Sequence, residues 1–158
     1  MTVTVKLSGF AELDKELERL SKSMGRGVLR RGLMKAAKPL AQLAASKAPV
    51  DPVGGGTLRD SIMVGAKLNG RQTKLHRRMF RDDRSSIELF VGPSYLMGDG
   101  GRHGHLQEFG TEHHGPQPFM RPAWDQDQNA MLERLSQELW SELEKAIKRA
   151  DRRAAREA

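Results

Sequence analysis

The sequence has no cysteine among its 158 residues, and aromatic side chains make up only 5% of it. The lack of cysteine excludes disulfides and thiolate chemistry. No run of about eighteen apolar residues occurs, so no segment predicts a membrane span. The amino terminus lacks the charged-then-apolar order of a secretory signal. Together these absences favour a soluble protein that is made in the cytosol and has a lean core beneath a charged surface.

Basic residues are concentrated in the middle of the chain. Residues 25–84 hold fourteen Lys and Arg against four acids, a local charge of +10, while the whole chain carries +7. Because like charges repel within a compact element, we interpret residues 69–84 as a basic loop or hairpin tip. Such a cluster attracts partners of opposite charge, either an acidic protein surface or nucleic acid, although a plain solvated face is an equally good interpretation. The cations assigned to a partner or channel contact are Arg71, Lys74, Arg77, Arg78, Arg81 and Arg84.

The pattern of apolar residues predicts one α+β domain over residues 1–158, with helices flanking a small, mostly antiparallel sheet. Alternating β-branched and polar residues indicate an N-terminal strand within residues 1–8. Two further strands are predicted, one over 58–64, after a possible helical turn, and one over 86–93.

Leucines at helical spacing predict a first helix that Gly25 and Gly27 close, and a second helix over residues 27–47. A short helix is predicted over 104–109. The final helix is predicted to begin at Pro122 or just after it, because proline is tolerated in a first helical turn.

The final helix is predicted to be amphipathic and long, about 45 Å at 1.5 Å per residue. That length exceeds what a small domain needs to cover its own sheet, so part of the apolar stripe is expected to pack on another subunit. Trp140 lies away from the stripe and is a candidate for a partner contact. Residues 150–158 are interpreted as a basic, frayed end.

Four histidines, His103, His105, His113 and His114, bracket Glu108, and this pattern is compatible with a metal site. However, the sequence around them is rich in glycine, and no nearby acid is evident that could orient the rings. We therefore interpret the segment as a polar loop and predict no metal, no cofactor and no catalytic residue. A metal-dependent hydrolase that uses the histidines stays as a third alternative.

Five short segments occur in a characteristic order: Ala48–Asp51, Thr57–Ile62, Val91–Pro93, Leu106–Thr111 and Pro118–Ala123. The ordered set resembles the tail-completion, or head–tail joining, family of long-tailed phages that is typified by the tenth gene product of phage Hong Kong 97. The resemblance implies an α+β fold, a structural role in the virion neck, and neither a reaction nor a cofactor.

The same resemblance implies partners. They are copies of the chain in a ring of six or twelve, a tail terminator or tail tube, and the head connector, with non-specific contact to DNA in the channel and none to a membrane. We expect synthesis in the host cytoplasm and a final place in the tail or neck of the virion. The alternative is a standalone, non-specific nucleic-acid-binding protein.

The segments around the two most distinctive motifs are predicted to pack together as a structural hub. For Phe119, packing into the core is favoured over an interface contact. The hub residues are Leu106, Glu108, Phe109, Gly110, Thr111, Pro118, Phe119, Arg121, Pro122 and Trp124.

Overall fold

In a computed structural model the protein is described over residues 10–19, 22–53, 55–80, 87–94 and 99–157, and this part is mostly helical. In chain order the elements are α1 (Phe10–Arg19), α2 (Lys22–Lys47), α3 (Thr57–Ser61), β1 (Ile62–Gly65), α4 (Gly70–Met79), β2 (Phe90–Pro93), a 3₁₀ helix (Asp99–His103), α5 (Gly104–Phe109) and α6 (Met120–Glu157).

The two long helices α2 and α6 pack along each other and form the body of the molecule. Strands β1 and β2 form an antiparallel pair in which Ile62 lies opposite Pro93 and Gly65 lies opposite Phe90. The predicted α+β class, with its small antiparallel sheet and long C-terminal helix, is confirmed. That the whole chain forms a single domain stays a prediction.

Two groups of buried side chains hold α2 and α6 together. The first core cluster contains Leu40, Ala44, Ala48, Leu58, Phe119 and Ala123. The second core cluster contains Leu13, Val28, Leu139, Leu143 and Ala146. Alanines at the contact let the two helix axes approach closely, so the lean composition still gives a packed core.

The prediction that Gly25 and Gly27 close the first helix is wrong, because both lie inside α2. A third glycine in α2 shows why small residues occur in this helix. A Cβ atom at Gly32 would lie 2.6 Å from Cδ2 of Leu139 and 3.4 Å from its Cα. The absence of a side chain therefore permits the close crossing with α6, at the usual cost of glycine in a helix.

The interpretation of residues 69–84 as a loop or hairpin tip is wrong for residues 70–79, because these form α4. A capping box starts this helix: Asn69 Oδ1 accepts from the Gln72 amide at 2.8 Å, and Gln72 Oε1 accepts from the Asn69 amide at 3.1 Å. The helix is exposed, so water solvates its cations and weakens their mutual repulsion. Arg81 and Arg84 lie outside the described residues.

Other boundaries also differ from those predicted. The strand predicted over 86–93 is shorter, since β2 spans only Phe90–Pro93. Helix α6 begins at Met120 rather than Pro122, and it continues through Glu157 where a frayed end was expected. The strand predicted within residues 1–8 lies outside the described residues.

Candidate functional site

The side chain of Glu108, which is more than ten residues earlier in the chain, caps the start of helix α6. Glu108 lies in α5 and is buried. Its Oε2 accepts from the amides of Phe119 at 2.8 Å and Met120 at 2.9 Å, and its Oε1 accepts from the amide of Arg121 at 3.1 Å. Pro122 comes next and has no amide hydrogen to satisfy. One carboxylate thus accepts the free donors at the start of α6.

The electrostatics of this contact favour the ionised form of Glu108. Burial by itself would raise the pKa of the carboxyl. The three backbone hydrogen bonds and the nearby charge of Arg121 outweigh that effect and lower the pKa below its ordinary value. The positive end of the α6 dipole acts in the same direction.

A glycine turn lets the chain fold back between α5 and α6. Gly110 has a φ of +78°, a backbone conformation that residues other than glycine rarely adopt. A Cβ at this position would also lie 2.8 Å from the backbone nitrogen of Pro116 and 3.0 Å from the carbonyl oxygen of His114. The amide of Gly110 donates to the carbonyl oxygen of Leu106 at 2.8 Å. The glycine after Phe109 is therefore required by both conformation and space.

Thr111 orders the loop that follows. Its Oγ1 accepts from the amides of His113 at 3.1 Å and His114 at 3.2 Å, and its own amide donates to the carbonyl oxygen of His114 at 2.9 Å. Farther on, the amide of Gln117 donates to the carbonyl oxygen of Gln107 at 2.7 Å. These bonds turn the histidine-rich segment into a compact loop on α5.

The structure brings only part of the predicted hub into the interior. Phe119 is 1% exposed and lies in the first core cluster, while Phe109 is 64% exposed and Trp124 is 46% exposed. The guanidinium of Arg121 lies over the ring of Phe109, 4.9 Å from its centroid. Of the remaining hub residues, Leu106 and Pro122 are half-buried, whereas Thr111 and Pro118 are exposed.

The four histidines are on the surface, with His103 at the end of the 3₁₀ helix, His105 in α5, and His113 and His114 in this loop. His103, His105, His113 and His114 are all exposed. Both carboxylate oxygens of Glu108, the acid between them, already accept hydrogen bonds from backbone amides at the start of α6. Over the part of the chain that the structure describes, no group of three or more His, Asp or Glu side chains is arranged to hold a metal ion.

Helix α4 and the residue after it combine three exposed large apolar side chains with four exposed cations. We call this combination the α4 surface, and it consists of Arg71, Lys74, Leu75, Arg77, Arg78, Met79 and Phe80. His76 connects it to the body, with its ring 4.8 Å from that of Phe80 and 5.3 Å from that of Phe90. Within the described ranges, none of the four cations forms an ion pair.

Trp140 occupies a mixed position on α6. It is half-buried and packs against the second core cluster, so part of its ring belongs to the core. The remainder is open to solvent between two exposed acids, Glu133 and Glu144.

A buried carboxylate that was not predicted from the sequence joins α2 to α6. The side chain of Glu142 is 4% exposed. Its oxygens lie 2.6 Å from Nε of Arg31 and 2.7 Å from Nζ of Lys35, and Lys145 approaches to 3.5 Å. The hydrogen bonds from Lys35 and then from Arg31 lower the pKa of Glu142 from 4.5 to about 2, against the effect of burial.

This ion cluster gives an expected dependence of stability on pH. Because the folded-state pKa of Glu142 is lowered, its contribution is present above pH 4.5 and is lost as the pH falls towards about 2. We expect the difference in melting temperature between the wild type and Glu142→Gln to be largest near neutral pH and to shrink over that range. Thermal unfolding followed by circular dichroism would measure it. Glu138→Gln, at a half-exposed partner of Lys35, is the control, and an equal effect of both variants would contradict the assignment.

These features define a small, mostly helical α+β protein whose two long helices are held together by the two core clusters and the Glu142 ion cluster, while the Glu108 cap joins α5 to the start of α6. The chain belongs to the HK97-gp10-like family: residues 11–110, which are 100 of its 158 residues, match the family described as "Bacteriophage HK97-gp10, putative tail-component". The protein is therefore assigned to the structural components of phage tails. The matched region runs from the second residue of α1 through α5 and ends at Gly110, the turn after α5.

Comparisons with curated proteins and with solved structures found no match. Across the described ranges, the structure contains no helix with the length and apolar character that a membrane crossing requires.

Proposed function

We propose that the protein forms a ring in the neck of a long-tailed phage, where it completes the tail and joins it to the head connector. Its partners are then other copies of itself, six or twelve in number, the head connector, and a tail terminator or tail tube. In this role the protein is a structural part of the virion and catalyses no reaction. The proposal is supported by the tail-component family and by the surfaces that the fold leaves open.

The observation that carries the proposal is the α4 surface. Leu75, Met79 and Phe80 are each at least half exposed, and they lie beside four exposed cations. Adjacent exposed apolar side chains on a folded protein mark an interaction surface. A subunit of a ring needs such a surface towards its neighbours.

Helix α6 offers a second argument for assembly. Its 38 residues extend over about 57 Å at 1.5 Å per residue. Residues 151–156 at its end are all exposed. A helix that reaches past its own core can pack on an adjacent subunit or virion protein.

The alternative of a standalone nucleic-acid-binding protein is less well supported. Its argument is the row of cations on α4, which could contact phosphates. Phosphate contacts would leave Leu75 and Met79 in water, whereas a protein surface would cover both the cations and the apolar side chains. Contact with DNA in the channel is compatible with a ring and is a secondary part of the proposal.

Inactivation of the gene in the phage that encodes it tests the proposed role. We expect lysates in which electron microscopy shows filled heads and separate tails, because the joining ring is missing. Supply of the wild-type protein from a plasmid should restore joined particles. Normal infectious particles without the protein would refute the proposal, and native mass spectrometry of the purified chain would give the number of copies in the ring.

A further inference from the structure

Helix α4 has a row of cations next to a row of apolar side chains. Arg71, Lys74 and Arg78 follow one another at steps of three and four residues, which places them on one side of the helix. Leu75 and Met79 are also four residues apart and lie along the edge of that row. An amphipathic helix of this kind docks on a surface that has apolar anchors and opposite charge.

One side of α6 has a composition complementary to that of α4, with acids around an aromatic side chain. Glu133, Gln137, Trp140 and Glu144 follow one another at steps of four, three and four residues and therefore line one side of the helix. The acids and the glutamine are exposed, and the half-buried Trp140 lies between them. We call these four residues the α6 outer face. Tryptophan is among the residues that contribute most at protein interfaces.

The α4 surface and the α6 outer face lie on different sides of α6 in one chain. His76 of α4 and Trp124 of α6 line the same groove, of about 550 Å³. Nine residues, about two and a half turns, separate Trp124 from Glu133, so these two side chains point in opposite directions from the helix. A contact between the two surfaces therefore joins two copies rather than closing within one.

We propose that the α4 surface of one copy docks on the α6 outer face of the next copy. The inference rests on the proposed ring and names the surfaces that build it. In this contact Arg71, Lys74 and Arg78 face Glu133 and Glu144. Leu75 and Met79 cover the open edge of Trp140. Because the two surfaces differ, the contact is head-to-tail and repeats from copy to copy, as a closed ring requires.

Charge complementarity is the reason for choosing a second copy as the occupant. The stretch from Lys67 to Phe80 carries five cations and no acid. Between positions 133 and 144 the exposed charged side chains of α6 are Glu133 and Glu144, and the exposed cations Lys145 and Lys148 come after this segment. Each exposed ion pair contributes little to the free energy of binding. The pairs therefore set the orientation of the two copies and the rate at which they associate, while burial of the apolar side chains supplies the affinity.

Two single-cysteine variants test the contact, and the chain suits this experiment because it has no native cysteine. One variant carries Lys74→Cys and the other carries Gln137→Cys. After mixing at high concentration and mild oxidation, we expect a disulfide-linked dimer that contains one chain of each variant. Glu112→Cys in the exposed loop replaces Gln137→Cys in the control mixture. A yield of mixed dimer no higher than in the control would overturn the inference.

Charge exchange separates this inference from the proposed ring. Arg71→Glu with Arg78→Glu should prevent assembly in sedimentation experiments, and so should Glu133→Lys with Glu144→Lys. Combining all four changes in one chain should restore it. As the control, Arg26→Glu with Arg30→Glu on α2 changes the charge of the chain by the same amount at two exposed residues outside both surfaces and should have no effect on assembly. A ring that survives the α4 changes would refute the docking but leave the ring standing. If the wild-type chain itself stays monomeric, both ideas fail. If the α4 changes abolish only binding to duplex DNA, α4 is a nucleic-acid contact and the inference is wrong.

Discussion

Replacement of Phe119 by alanine is expected to lower the free energy of unfolding by about 3–5 kcal/mol, because it leaves a cavity in the core. Phe119 is 1% exposed and packs among Leu40, Leu58 and Ala123, so it joins α2, α3 and the start of α6. Alanine neighbours cannot extend to fill the space, and collapse around the cavity is limited by the helix backbones. Urea unfolding monitored by circular dichroism gives the free energy directly.

Phe109→Ala is the matched control, since it removes the same side chain from an exposed position of the same hub. Phe109 is 64% exposed and makes a ring contact with Arg121. Loss of such a cation–π contact costs about 0.5–1 kcal/mol at an exposed site. An equal loss in the free energy of unfolding for both variants would contradict the assignment of Phe119 as the buried residue that packs α2, α3 and α6 together.

The difference between these two phenylalanines shows what the sequence could and could not predict. The motif Pro118–Ala123 indicated a structured region, and the predicted packing of Phe119 in the core agrees with its burial. The sequence predicted both phenylalanines as members of one hub, and it did not indicate that Phe109 lies outside the core. Their burial depends on how the turn at Gly110 directs the chain.

Helix α4 illustrates a different limit. Its high charge suggested a loop, yet Asn69 and Gln72 have the spacing of a capping box, a local signal that favoured a helix. Here the cap and the exposed position of the helix outweigh the repulsion between cations. Composition was thus a poorer guide than the residues at the helix start.

The ion cluster at Glu142 could not be found from local patterns at all. Its partner Arg31 is 111 residues away in the chain, and a glutamate in the middle of a charged helix normally faces water. Only the packing of α2 on α6 buries it. For Glu108 the sequence predicted a place in the hub but not the role of a cap, since the acceptor lies in α5 and the three donors lie at and just before the start of α6.

Replacement of Glu108 by alanine is expected to destabilise the fold by about 2–4 kcal/mol. An ordinary N-cap contributes about 0.5–2 kcal/mol, and here three amides lose a charged, buried acceptor at once. Glu108→Gln keeps one oxygen acceptor and should lose less than the alanine variant. Glu112→Ala, at an exposed acid four residues later, should change little. Denaturant unfolding of the three variants measures their free energies of unfolding, and the expected loss is largest for Glu108→Ala, smaller for Glu108→Gln and smallest for Glu112→Ala.

The charge of Glu108 can be tested separately from its shape by varying the pH. Because its pKa is lowered in the folded state, the stability that depends on its charge is present above its ordinary pKa of 4.5 and is lost as the pH falls through the lowered value. The stability difference between the wild type and Glu108→Gln should therefore narrow in acid. A difference that stays constant with pH would show that the carboxylate acts by its shape alone. In that case the attraction between the carboxylate charge and the helix dipole would contribute nothing to the stability that the cap provides.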